Sequence, residues 1–130
     1  MKVNTQWKQE QEFTSNHEEQ FVQMDGNRLK GISPKALLLA GLSGCSGIDV
    51  VAILSKMKMQ FSQLQIDAVT EQTDENPKVF KDIHLLFSIH TAIENEEKVR
   101  KAIDLSLEKY CGVAAMLRKN STINYSLIIL

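Results

Sequence analysis

The 130-residue chain is short of several things, and each shortage removes a class of function. Cysteine occurs twice, at Cys45 and Cys111, which is too few for the disulfide framework of a small secreted scaffold. Neither sign of charge dominates. Fifteen Lys and Arg against sixteen Asp and Glu leave a formal net charge of −1, without the basic excess that dense phosphate contact needs, so no nucleic-acid partner is expected. The first fifteen residues are polar, with Trp7 and Phe13 standing singly. They lack the apolar centre of a secretory signal, and a cytoplasmic protein is expected. CxxC and Cys/His spacings are absent, as are a glycine-rich phosphate loop and a GxSxG elbow, so neither a metal nor a cofactor is expected. His84 and His90 fall on one face of a strand, but six residues at roughly 3.3 Å each put them about 20 Å apart, too far for one metal ion.

Long apolar runs are also scarce, with one exception. Ala36 to Leu54 is nineteen residues carrying a single charge, about the length that spans a bilayer. Asp49 would cost about 2.5–3.5 kcal/mol near a bilayer centre, and Gly41, Ser43, Gly44, Ser46 and Gly47 dilute the run further. The segment therefore reads as a helix buried on nearly all sides of a protein core rather than a membrane span. Ser33 and Pro34 supply a cap and a first helical residue, and the helix is predicted to reach about Met57.

The chain as a whole is 43% apolar and is patterned as an ordinary single globular domain, residues 1–130. Val3, Thr5 and Trp7 alternate with polar neighbours as in a half-buried strand. Further strands are predicted about Phe13 and over 20–24, with Asp25-Gly26 as a turn. Alternation at Leu64, Ile66 and Ala68, and again from Val79 to Ile89, predicts a hairpin. Residues 94–109 read as an amphipathic helix with Val99, Ala102, Ile103, Ser106 and Tyr110 at helical spacing. Cys111-Gly112 breaks it, a short helix covers about 113–119, and Ile123 to Ile129 forms a last strand. This clustered order favours an α+β architecture.

The chemistry rests on the two thiols. Cys45 lies mid-helix in Leu42-Ser43-Gly44-Cys45-Ser46-Gly47. Gly41, Gly44 and Gly47 recur every third residue, each at a cost of about 1 kcal/mol of helix stability. Such a stripe lets another backbone or a substrate approach the sulfur, although a buried cysteine can equally be a small core residue. Cys111 ends a helix, where a thiol can be partly exposed and can move. Asp49 is four residues from Cys45, on the same helical face, and needs a partner if buried. Tyr110 is either a solvated helix-end aromatic or a wall beside the sulfur.

Ser33-Pro34, the run Leu37-Leu38-Leu39-Ala40-Gly41-Leu42-Ser43-Gly44-Cys45, Asp49-Val50-Val51-Ala52-Ile53-Leu54 with Lys56-Met57, and Lys109-Tyr110-Cys111-Gly112-Val113 together resemble the OsmC/Ohr family, in its OsmC-like branch. These are the osmotically inducible protein C and organic hydroperoxide resistance proteins. The resemblance implies an intertwined homodimer in which antiparallel sheets enclose two long central helices. It also implies a peroxidatic Cys45, a resolving Cys111, an organic hydroperoxide substrate, and an external dithiol reductant such as a lipoylated protein. Relatives support the thiolate with an Arg near the amino terminus and a Glu just after the helix-opening Pro. Here no Arg precedes Arg28, and Pro34 is followed by Lys35 and Ala36, which leaves Lys35 as the candidate substitute cation. Lys35, Asp49 and Tyr110 are thus the supporting or pocket residues. The alternative on the same scaffold is a non-catalytic stress protein that binds a small apolar ligand at the dimer interface.

Overall fold

A computed structural model describes residues 1–130, and the chain divides into two compact units, Met1–Leu39 and Ala40–Leu130.

The first unit is an antiparallel meander of β1 (Asn4–Gln9), β2 (Glu12–His17) and β3 (Gln20–Asp25), in the order β1-β2-β3. Trp7 pairs with Phe13 across β1 and β2, and the Thr5 and Ser15 hydroxyls meet at 2.7 Å. β1 is not half-buried as its alternation predicts: every residue is exposed, Trp7 included. Nothing within the unit covers the side of the strand that carries Trp7. After β3 the Asp25 carboxylate accepts from the backbone N–H groups of Asn27, Leu29 and Lys30 at 2.8–3.2 Å. Those bonds, that to Asn27 foremost, hold its pKa below the ordinary 3.8 against the effect of burial. The returning chain passes so close to β3 that a Cβ on Gly31 would lie 2.7 Å from the Gln23 carbonyl oxygen, which only glycine accommodates.

Ser33 then opens α1 (Pro34–Lys56), its hydroxyl accepting from the Ala36 N–H at 3.3 Å, as the cap-and-proline signal predicts. Most of this helix belongs to the second unit, with β4 (Ser62–Gln72), β5 (Phe80–His90), α2 (Glu96–Leu105), α3 (Gly112–Leu117) and β6 (Ile123–Ile129). A 3-10 turn, Ile93–Asn95, precedes α2, and a π-helical turn, Ser106–Tyr110, follows it. The predicted hairpin is present as β4 paired antiparallel to β5. β6, however, pairs parallel to β5, so this sheet, ordered β4-β5-β6, is mixed where the resemblance implied antiparallel strands throughout. The reason is the connection. Residues 91–122 fold into the helical turns and return to the starting end of β5, as a parallel pair requires.

β5 is the central strand, and its alternation is strict. Ile83, Leu85, Phe87 and Ile89 are fully buried, and Phe87 meets Tyr125 of β6 edge-on at 6.0 Å. Val99, Ala102 and Ile103 bury the apolar face of α2. α1 departs from expectation. Its buried residues are Leu42, Ser46, Val50 and Leu54, a single stripe at spacing four, whereas Ile48 is 72% exposed and Val51 41%. The chain itself covers one side of the helix only. By length and composition α1 alone could cross a membrane, and its buried stripe is part of the core instead.

Candidate active site

Each cysteine is placed by its own element. Cys45 sits in α1 one residue before the buried Ser46 and is half-buried. Cys111 follows the π-helical turn and caps α3. Its extended backbone (φ −74°, ψ 103°) lets the sulfur accept from the Ala114 N–H at 3.3 Å. The sequence allowed for a partly exposed, movable thiol at this position. Cys111 is instead buried, 3% exposed, because it is held on both sides: its own N–H donates to the Ser106 carbonyl at 2.7 Å while its sulfur caps the next helix.

The two thiols, 66 positions apart, lie close enough that Cys45 acts on the ionisation of Cys111, and no disulfide joins them. Burial pushes the Cys111 thiol up from its ordinary 9.0 to about 11. The neighbouring Cys45 side chain and the charge of Asp49 add to this, and the Ala114 N–H opposes it. Cys111 is therefore a neutral thiol at physiological pH.

Behind the pair lies a buried polar chain. The Ser106 hydroxyl, fully buried, is 2.9 Å from Asp49 Oδ2 and 3.0 Å from the equally buried Ser46 hydroxyl. The Ser106 hydroxyl is the donor toward both, and Asp49 as a carboxylate only accepts. Asp49 thus finds the partner a shielded carboxylate requires, and α1 is tied to the π-helical turn.

Beside this chain opens a cavity of about 580 Å³ lined by Asp49, Ile53, Lys56, Met57, Leu105 and Tyr110. Tyr110 keeps 54% of its surface exposed, with the Lys109 ammonium 5.5 Å from the ring centre. Cys45, Cys111 and Asp49 are therefore brought together, and Tyr110 shares a cavity wall with Asp49. Lys35 lies exposed in the first turn of α1, in the N-terminal unit. Sequence reasoning missed Ser46, Ser106 and Lys56. The signal for the two serines was present: Ser46 falls midway between Leu42 and Val50 on the buried stripe, and Ser106 extends the inward row Val99, Ala102 and Ile103.

An OsmC-like protein model matches residues 25–126, a span that contains both cysteines and every residue of this cluster. The chain belongs to the OsmC-like family. It is 38% identical over 116 residues to Protein YhfA of Escherichia coli K12, covering 88% of this chain and 84% of that protein. Its fold matches that of an OsmC-like protein from Mycoplasma pneumoniae at a TM-score of 0.81 and 17% identity, over 98% of this chain and 96% of the other. It also matches the organic hydroperoxide resistance protein OhrB of Bacillus subtilis at 0.65 and 18%, over 97% and 96%. OsmC-like proteins are generally soluble, which agrees with α1 serving as a core helix.

Proposed function

We propose that this OsmC-like protein is a cytoplasmic thiol-dependent peroxidase acting on organic hydroperoxides. The observation that carries the reading is the convergence of Cys45 and Cys111 through Ser106, whose carbonyl holds Cys111 and whose hydroxyl meets Ser46 and Asp49 beside Cys45, with one thiol half-exposed and the other buried. A hydroperoxide can reach the first and only the second can follow. The Cys45 thiolate attacks the O–O bond, an alcohol leaves, and a sulfenic acid remains. Cys111 then displaces water to give one disulfide, and an external dithiol, such as a lipoylated protein, restores both thiols by exchange. The cavity beside Asp49 is apolar enough, through Ile53, Met57 and Leu105, to take the organic tail.

The working unit on this reading is a homodimer. A groove of about 630 Å³ runs along the open side of α1, lined by Gly44, Gly47, Ile48, Val51, Leu64 and Ile66, and a second copy would cover it. The same groove is what favours a second reading, a stress protein that holds a small apolar ligand there while its thiols stay idle.

Mixing the reduced protein with a modest excess of cumene hydroperoxide separates the two. The peroxidase consumes two thiols per chain, produces one intrachain disulfide seen as a 2 Da mass loss, and loses this reaction in Cys45→Ser. Unchanged thiol counts would defeat the peroxidase reading, and a small molecule retained in native mass spectra would then support the binding one.

A further inference from the structure

We propose that Ser106 is a positioning residue for disulfide formation, holding Cys111 through its carbonyl and α1 through its hydroxyl so that the two sulfurs face each other. This rests on the peroxidase reading for its biological meaning, though the geometry can be tested without it.

The argument begins with the turn itself. In α geometry, at about 100° per residue, the fifth residue after Ser106 would lie roughly 140° around the helix axis from it. The π-helical bond from the Cys111 N–H to the Ser106 carbonyl, 2.7 Å long, brings Cys111 back over Ser106. Ser106 faces α1, since its hydroxyl reaches both Ser46 and Asp49. Cys111 therefore also faces α1, where Cys45 is. A π turn is a rare and poorer arrangement that persists when something holds it. Here the hold is a buried hydroxyl donating to a carboxylate, a charge-assisted bond that outweighs an ordinary neutral one.

The placement matters because Cys111 reacts from an unfavourable state. With its thiol pushed up to about 11, only about one molecule in 10⁴ carries a thiolate at pH 7. Resolution must then draw its speed from proximity and alignment. In that step the Cys111 S–H and the Cys45 S–OH give the S–S bond and one water. The competing step lets a second hydroperoxide convert the Cys45 sulfenic acid to sulfinic acid, releasing an alcohol. The ratio of the two products reads the positioning directly and does not depend on how fast the sulfenic acid forms.

Two measurements on the intact protein test this. In the first, wild type and variants are exposed to graded cumene hydroperoxide, and the sulfinic product (32 Da gained) is compared with the disulfide (2 Da lost). Ser106→Ala is expected to raise the sulfinic share roughly tenfold, and Ser106→Thr, which keeps the hydroxyl, to restore the wild-type ratio. In the second, disulfide formation is equilibrated against reduced and oxidised dithiothreitol without peroxide, and Ser106→Ala is expected to lower the equilibrium constant roughly tenfold. Should Ser106→Ala fail to fold, Asp49→Ala removes the acceptor instead. It also removes a charge that raises the Cys111 pKa, which by itself would favour resolution, so an increased sulfinic share there reports lost positioning. An unchanged dithiothreitol equilibrium in the folded variants overturns the proposal. A shifted equilibrium in a protein whose wild type makes no disulfide from peroxide retains it and rejects the peroxidase.

Discussion

At the scale of single residues, burial acts on the ionisation of Cys111. Its value of about 11 lies above the ordinary 9.0, so the fold favours the neutral thiol. The stability this contributes is intact below about pH 9 and is lost as pH rises through about 11. Alkylation at neutral pH should therefore be slow at Cys111, about a hundredfold below a free cysteine from the thiolate fraction alone, and burial should slow it further. Iodoacetamide labelling followed by peptide mass spectrometry gives the rate. Cys45→Ala removes a side chain that raises the Cys111 value, so labelling there should quicken, and a rate unmoved by that substitution would contradict the direct coupling of the thiols. Both cysteines and Asp49 were legible in the sequence, because thiols are scarce and i,i+4 spacing puts the carboxylate on the Cys45 face. Ser106 was not. A serine on an inward helical row carries no mark of its partner until Ser46 and Asp49 arrive from 60 and 57 positions away.

At the scale of elements, α1 and the segment after α2 show where local pattern suffices and where it fails. The start of α1 follows from Ser33 and Pro34, and the β4–β5 hairpin from alternation, since both are local effects. The π-helical turn breaks a helix that the pattern carries on to residue 109. Its cause is tertiary, a buried hydroxyl held by another helix, and no run of residues announces it. The parallel pairing of β6 was hidden for a related reason, because alternation fixes which face of a strand is buried but not the direction of its neighbour. The glycines of α1 allow an element-level test. A Cβ on Gly44 would meet nothing within 4 Å in the chain, so helix propensity alone predicts a gain of up to about 1 kcal/mol for Gly44→Ala. If a second copy packs there, the same substitution should lower the melting temperature, and the melting curve at several protein concentrations decides between them.

At the scale of the whole molecule, α1 exposes Ile48 at 72% and Val51 at 41% beside a groove floored by Leu64 and Ile66. A soluble protein seldom leaves a contiguous apolar surface of this kind open to water. On the dimer reading, light scattering should return 29.4 kDa, twice the 14.7 kDa of one chain. Ile48→Asp should shift that toward the single-chain mass, since a desolvated, unpaired carboxylate in the contact is strongly unfavourable. A wild type that stays at one chain's mass across micromolar concentrations would remove the dimer and leave the groove to a ligand.

On the peroxidase reading, the burial of Cys111 has a consequence for the return half of the cycle. Once a disulfide forms, an incoming reductant can reach only the Cys45 sulfur, so the mixed disulfide forms there and Cys111 is expelled as the leaving group. A thiol with a value near 11 leaves poorly. The burial that would protect a resolving sulfur from solvent would thereby make the oxidised protein slow to reopen. On that reading the reductant would carry its own second thiol close at hand, able to cleave the mixed disulfide before Cys111 recloses on Cys45.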